Sequence, residues 1–369
     1  MVKHSTAQDV IGQQMTESAI ALNTEAVTNE FDRQISDGFH SSATLAVFLE
    51  GKPAMDITRG AMHAKPLFRV FSVGKPLAAA ILWRQKARGY FDWDTAIAEY
   101  WPEFGTRGKS SITVEQVLSH SAGLSDHSNI PPTDYNDWGR IVSHIEDMSP
   151  QTEPGSAVSY HAHTFGWIVG EFASRVSGLS FDEAFKREVT LPLGLKNTSY
   201  TLEPVDFGRV VPLEVSAEWN DKEIANNMDL ILRAQVSMPA GSMITTANDV
   251  AKFYAAISSN GVMNGVRWLP EEVISEVSSV KAEGLDGTSG AYSRVGLGVR
   301  LPSDPPNQYA SLNSSDTVGH SGLGTCTSWA SLTSNLSVAY VTNCFQPDMQ
   351  NDYRLHEMSK TIRASIYVN

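Results

Sequence analysis

The sequence has little cysteine, little positive charge and no long apolar run, and each shortage removes a class of protein. Two cysteines in 369 residues, Cys326 and Cys344, do not make a disulfide framework. Whether they face each other across a C-terminal hairpin is open, and a reducing cytosol would keep them as thiols. Lysine and arginine total 28 against 41 acidic residues, a net charge of −13. Nucleic acid and anionic membranes both need basic surface, so neither is an expected partner. Charge leaves the oligomeric state open. No stretch approaches the roughly 18 apolar residues of a membrane span. Met1–Asp9 lacks the apolar core of a secretory signal, so the expectation is a soluble cytoplasmic protein. His161 and His163 lie two apart with no further ligand at metal-site spacing, so no metal is expected.

What the chain does hold is apolar bulk. Apolar residues make up 41%, with eight Trp and fourteen Phe, and the length favours two lobes over one simple core. Residues 17–37 carry a helical period through Ile20, Val27, Phe31 and Ile35. Ala43 to Pro53 reads as a strand ending in a tight turn, with Ala54 to Arg59 as its hairpin partner. From Gly89 to about Pro239 short helices alternate with loops rich in Pro, Gly, Asn and Asp. Thr113 is a candidate N-cap, and Thr164 to Val176 and Ala247 to Ser258 are amphipathic helices. Strands return at Val295–Leu301, Thr317–Gly319, Cys326–Leu332 and Leu336–Asn343, before a last helix from about Asn351 to Ile366. A hairpin at the front and a meander at the back predict one antiparallel sheet built from both ends, with a mostly helical insertion between them.

The chemistry centres on Phe71-Ser72-Val73-Gly74-Lys75-Pro76, followed by an apolar run to Trp83. Residues three apart share a helix face, so Ser72 Oγ and Lys75 Nζ can meet. A helix apolar on all sides is buried, and a lysine at its start is desolvated toward the neutral amine. A serine hydroxyl needs a base beside it, and this spacing supplies one. A second Ser-x-x-Lys, Ser278 and Lys281, ends a charged helix with no core segment behind it and reads as a solvated terminus.

Tyr160, in a loop that runs into the Thr164 helix, is the candidate partner from the helical lobe, where a tyrosine beside an ammonium can act as a base. Gly319-His320-Ser321-Gly322 is the candidate from the strands; its glycines allow a substrate to lie against an edge strand beside a free backbone N–H. His120 reads as a structural, hydrogen-bonded histidine. The loop Ser125 to Met148, with Asp126, His127, Tyr135 and Trp138, and residues 201–238 are candidates for shaping a pocket.

Taken in order, six stretches resemble the serine β-lactamase/penicillin-binding-protein superfamily, in its class C-like branch and nearest the family VIII carboxylesterases. They are Phe71–Pro76; Gly89–Asp94 with Tyr100–Phe104; Thr113–Leu124; Pro154-Gly155 through Trp167; Pro239–Ala251; and Gly319–Gly322. The resemblance implies an α/β (α+β) fold. An antiparallel sheet of about five strands would be flanked by N- and C-terminal helices (residues 1–85 and 290–369). A mostly helical lobe (86–289) would complete it, with the active site between. It implies a cofactor-free acyl-enzyme on Ser72, with Lys75 and Tyr160 sharing the base role and Tyr160 returning a proton to the leaving alcohol. The oxyanion would sit between the N–H groups of Ser72 and Leu323. His320, Ser321, Gly322, His161 and His163 would bind substrate, a small-molecule ester.

Two departures bear on the activity. β-Lactamases of this branch keep Tyr-x-Asn, where this chain has Ala162, and Lys-Thr-Gly, where it has His320-Ser321-Gly322. A histidine is a weaker partner than lysine for a substrate carboxylate at pH 7. An esterase is the reading these changes favour. Acyl transfer, weak β-lactamase or D-amino-acid amidase activity, and a silent binding module are the alternatives.

Overall fold

The structure, a computed structural model, describes residues 20–303 and 316–368. The expectations for Met1–Asp9 and for the first residues of the 17–37 segment lie outside them. Within that segment the helix is α1, Thr24–Ser36, capped by Asn23. Ile20 instead belongs to a short strand that pairs with Ile366–Val368 and ties the two ends of the chain together.

The central sheet is antiparallel and has eight strands: β1 (Ala43–Leu49), β2 (Lys52–Arg59), β3 (Ala282–Leu285), β4 (Tyr292–Val295), β5 (Arg300–Leu301), β6 (Thr317–Gly322), β7 (Cys326–Ser331) and β8 (Leu336–Thr342). Across the sheet they run β2-β1-β8-β7-β6-β5-β4-β3. The β1–β2 turn places Glu50 and Gly51 both at positive φ, the conformation a two-residue hairpin needs to match strand twist.

The count of about five expected strands falls short of eight for a local reason. Val295–Leu301 reads as one apolar strand, but Gly296-Leu297-Gly298 folds it into a turn between β4 and β5. Gly298 has φ +84°, and a Cβ there would lie 2.5 Å from Ala79 Cβ. The sheet's last strand, β3, also begins eight residues before the expected boundary at 290, because its exposed Glu283 and Leu285 carry no core signal.

Both faces of the sheet are covered, which is why β1 and β8 read as continuous apolar runs rather than alternating ones. One set of side chains (Leu45, Val47, Val338, Tyr340 and Trp329) packs on α1 and on the C-terminal helix Asp348–Ala364. The other set (Ala46, Phe48, Ala339, Val341 and Ala330) faces the helices Gly74–Ala87 and Ala247–Ser258. The Gly74–Ala87 helix is buried from Gly74 through Trp83, and Thr164–Ser177 packs on its far side. The Gly319–Gly322 segment, expected on an edge strand, lies instead on the inner strand β6, which pairs with β7 along its length and with β5 at Gly319, and this strand packs beside the turn that leads into the buried helix.

Beneath the sheet, His40 is buried against Tyr340 (Oη to Nε2, 3.3 Å) and near the Arg354 guanidinium. Burial, with Arg354 adding, pulls its pKa down to about 3. A histidine depressed in the folded state binds its proton in the unfolded chain first, so the stability it confers is complete above pH 6.5 and is lost as pH falls toward 3. The expected slope is about 1 kcal/mol per pH unit in that window. Melting His40→Gln beside the parent between pH 7 and 4 should show a flatter fall of Tm in the variant. Parallel curves would show that His40 does not govern acid unfolding.

Candidate active site

Ser72 stands at a bend that the sequence forces. Phe71 is buried with φ +48°, an uncommon conformation for a bulky residue, and Phe71–Val73 form a single 3-10 turn before the helix Gly74–Ala87. Such strain is held only where the surroundings over-determine it, and it clusters at functional sites. Pro76 lies in the helix's first turn, where its missing N–H costs nothing. The result lifts Ser72, half-buried, to the positive end of a buried helix.

Lys75 follows one turn later and is fully buried. Its Nζ lies 2.9 Å from Ser72 Oγ and 3.1 Å from the carbonyl oxygen of Ala240, and no carboxylate pairs with it among the described residues. Burial is the main force lowering its pKa; Tyr160 opposes this and the nearby Arg300 adds to it. A neutral amine here can spend one N–H on Ala240 and offer its lone pair to the serine hydroxyl.

Tyr160 comes over the same point from the loop that leads into the helix Thr164–Ser177. Lys75 Nζ lies 4.9 Å from its ring centroid and the Arg300 guanidinium 4.7 Å. Asp286 holds this arrangement: its carboxylate accepts the Tyr160 backbone N–H (3.1 Å) and pairs with Arg300 (3.4 Å) while fully buried. Neither Arg300 nor Asp286 stands out in the sequence. Both sit on the hairpin around β4, more than 120 residues from Tyr160, and no local pattern marks a side chain whose partner is that distant.

β6 packs along the Phe71–Val73 turn. Gly322 is required there, since a Cβ would come within 2.4 Å of both Val70 O and Cys326 Sγ. Leu323 follows, half-exposed at the end of the ladder, and neither its N–H nor that of Ser72 is spent on a backbone carbonyl among the described residues. The next carbonyl, Gly324 O, accepts from the fully buried Arg354 (2.6 Å), which also bonds Cys344 O (2.8 Å) and fixes this loop from below. The rings of Phe71 and Trp219 each lie 5.2 Å from that of Phe345, tilted against it, which places Trp219 beside the turn.

The histidines divide sharply. His320 is buried on the same side, 6.1 Å from the Tyr160 ring; Nδ1 donates to Ser321 O, Nε2 has no partner among the described residues, and burial holds it neutral. His120, at φ +59°, accepts the His161 N–H at Nδ1 and packs 4.8 Å from Tyr160, a structural role. His161 does not face a substrate. It is fully buried, its Nδ1 bonds Ser159 O (2.6 Å) and its Nε2 accepts from Leu124 N–H (2.9 Å), and its pKa falls to about 4. Both nitrogens are used by backbone, so the expected substrate contact has no atom to make it. His163 packs against His127, and its buried Nδ1 has no partner among the described residues.

The remaining sequence candidates resolve simply. Ser278 bonds back to Ile274 O and Lys281 pairs with Glu115, as at a solvated helix end. Cys326 and Cys344 are buried, unpaired thiols, and burial pushes Cys326 up to about 12. Among the described residues no cluster of three or more His, Cys, Asp or Glu is arranged to hold a metal, and no helix is long and apolar enough to cross a membrane.

The fold as a whole has counterparts among known proteins. The solved structure of a family VIII carboxylesterase superposes with a TM-score of 0.82 at 26% identity, over 91% of this chain and 96% of that one. A penicillin-binding protein homologue from Caulobacter crescentus gives 0.84 at 26% identity, over 94% and 100%. Among curated proteins, the esterase/beta-lactamase LipL of Mycobacterium tuberculosis is 26% identical across 81% of this chain and 76% of its own length. The Beta-lactamase family matches residues 28–360, and the chain belongs to that family of serine hydrolases.

Proposed function

We propose that the protein is a carboxylesterase that hydrolyses small-molecule esters through an acyl-enzyme on Ser72. The observation that carries this reading is Lys75: fully buried, without an acidic partner among the described residues, and 2.9 Å from Ser72 Oγ. The hydroxyl proton passes to the Lys75 amine as Oγ attacks the ester carbonyl, and the N–H groups of Ser72 and Leu323 receive the oxyanion. Collapse breaks the bond to the alcohol oxygen, which takes a proton from the Lys75–Tyr160 pair. Water then attacks the acyl-enzyme, yields its proton to the same pair and releases the acid.

Similarity to a family VIII carboxylesterase and to LipL supports an ester as the substrate. His320, neutral by burial where β-lactamases of this branch carry lysine, supports it further by withholding a cation from a substrate carboxylate. No cofactor enters the sequence of steps. The helical lobe (residues 86–281) and the sheet unit (the residues before 86 and after 281) would enclose the cleft, and two buried free thiols fit a reducing, cytoplasmic setting.

Arg300 serves as a positioning residue in this scheme. It lowers the Lys75 pKa, so removing its charge should raise that pKa and leave less neutral amine near pH 7. For Arg300→Gln the rising limb of the kcat/KM–pH profile is expected to move to higher pH, with activity partly restored in alkaline buffer. An unmoved limb would separate Arg300 from the base.

Intact-protein mass spectrometry after mixing with p-nitrophenyl butyrate tests the whole reading. A butyryl adduct mapping to Ser72, with steady nitrophenol release, is the expected result. An adduct that persists until an alcohol is added would make the protein an acyltransferase. No adduct and no release from folded protein would leave a binding module.

A further inference from the structure

Beside Tyr160 the loop after Leu124 carries His127 against His163. The two imidazole centroids lie 4.4 Å apart with planes at 66°. Tyr135 and Trp167 each approach His163 at 6.0 Å and each other at 5.1 Å, so His163 stands in an aromatic enclosure with His127 on its remaining side. This loop is tied to the catalytic segment. Leu124 donates its N–H to His161 Nε2 (2.9 Å) and accepts from Thr164 Oγ1 (2.7 Å), so the chain is pinned on both sides of His163 three residues before His127. Burial, with His127 and Lys75 adding to it, lowers the pKa of His163 to about 3 and keeps it uncharged.

What separates these two rings from the other histidines near the cleft is that neither bonds to protein among the described residues. His161 uses both nitrogens, and His120 and His320 each use one. In His127 and His163 each Nδ1 is buried without a partner, and neither Nε2 bonds protein among the described residues. Leaving buried polar atoms unpaired costs stability, and such atoms call for an explanation. Every imidazole offers at least one N–H donor, and the uncharged His163 keeps an acceptor nitrogen as well, so the two rings together match a hydroxyl or a carbonyl oxygen. Ala162, the residue before His163, adds no polar group of its own.

We propose that His127 and His163, within the enclosure formed with Tyr135 and Trp167, are a specificity subsite. It takes a neutral hydrogen-bonding group carried by the ester a few bonds from the scissile linkage. The subsite would make the enzyme select hydroxyl- or keto-substituted esters over plain alkyl esters. The inference rests on the esterase reading given above.

The test compares kcat/KM within two pairs of substrates. p-Nitrophenyl butyrate against p-nitrophenyl 3-hydroxybutyrate places the group on the acyl side, and ethyl butyrate against 2-hydroxyethyl butyrate places it on the alcohol side. The parent protein is expected to favour the hydroxylated member of one pair by about tenfold, the worth of a single well-placed hydrogen bond. Which pair responds identifies the side. His163→Phe and His127→Phe keep a flat ring and remove both nitrogens, and each should bring the ratio close to one. Two separate variants guard against either one misfolding. Absence of preference in both pairs overturns the proposal, as does a preference that survives both substitutions. Folded protein that turns over none of the four esters overturns the esterase reading, and this inference with it.

Discussion

Replacing Ser72 with alanine should lower ester turnover by about 10⁴-fold or more while leaving the melting temperature close to the parent's. The hydroxyl is the only atom lost. Lys75 keeps its bond to Ala240 O, and the buried helix from Gly74 to Trp83 is untouched, so the fold has no reason to respond. The acyl adduct seen by mass spectrometry should vanish together with the activity. A Ser72→Ala protein that kept more than about a tenth of parent kcat/KM would move the nucleophile elsewhere, whatever the fold.

The second large effect is expected at the base. Lys75→Met preserves side-chain volume in a fully buried position and removes the lone pair that takes the serine proton. The expected fall in kcat is about 10³-fold or more. Because nucleophile and base act as one unit, Ser72→Ala combined with Lys75→Met should be little slower than either alone. Methionine also relieves the cost of burying an amine without an acid partner, so Tm should hold or rise, the usual opposition of function and stability at such sites. Tyr160→Phe separates the hydroxyl from the ring. The ring remains between Lys75 and Arg300, so a severe loss in kcat would assign the effect to the phenolic proton. Burst kinetics would then show whether acylation or deacylation has slowed. A Lys75→Met enzyme with near-parent kcat would exclude lysine as the base.

Elements with strong local signals were legible without coordinates. The Ala247–Ser258 helix has the expected bounds, Thr113 caps its helix with Gln116 completing the box, and the front hairpin forms with its turn at Glu50-Gly51, which puts Lys52 and Pro53 in the second strand rather than the first. The short strands β3 and β4 were missed because a few residues on a half-solvated edge carry no usable period. The fold class survived those misses. It depends on long apolar runs and one buried helix, and these are periodic over many residues.

The site divides along the same line. Sequence alone determined that Ser72 and Lys75 share a helix face and that this helix is buried, because both follow from spacing and composition within a dozen residues. Only the tertiary structure decided the rest. It put Arg300 and Asp286 on Tyr160, set Arg354 under the Gly324 loop, turned both nitrogens of His161 to backbone, and left those of His127 and His163 without a protein partner among the described residues. A histidine's availability depends on which groups the fold brings within about 3 Å of each ring nitrogen. That distance is set by contacts between residues tens to hundreds apart in the chain, which no local pattern encodes.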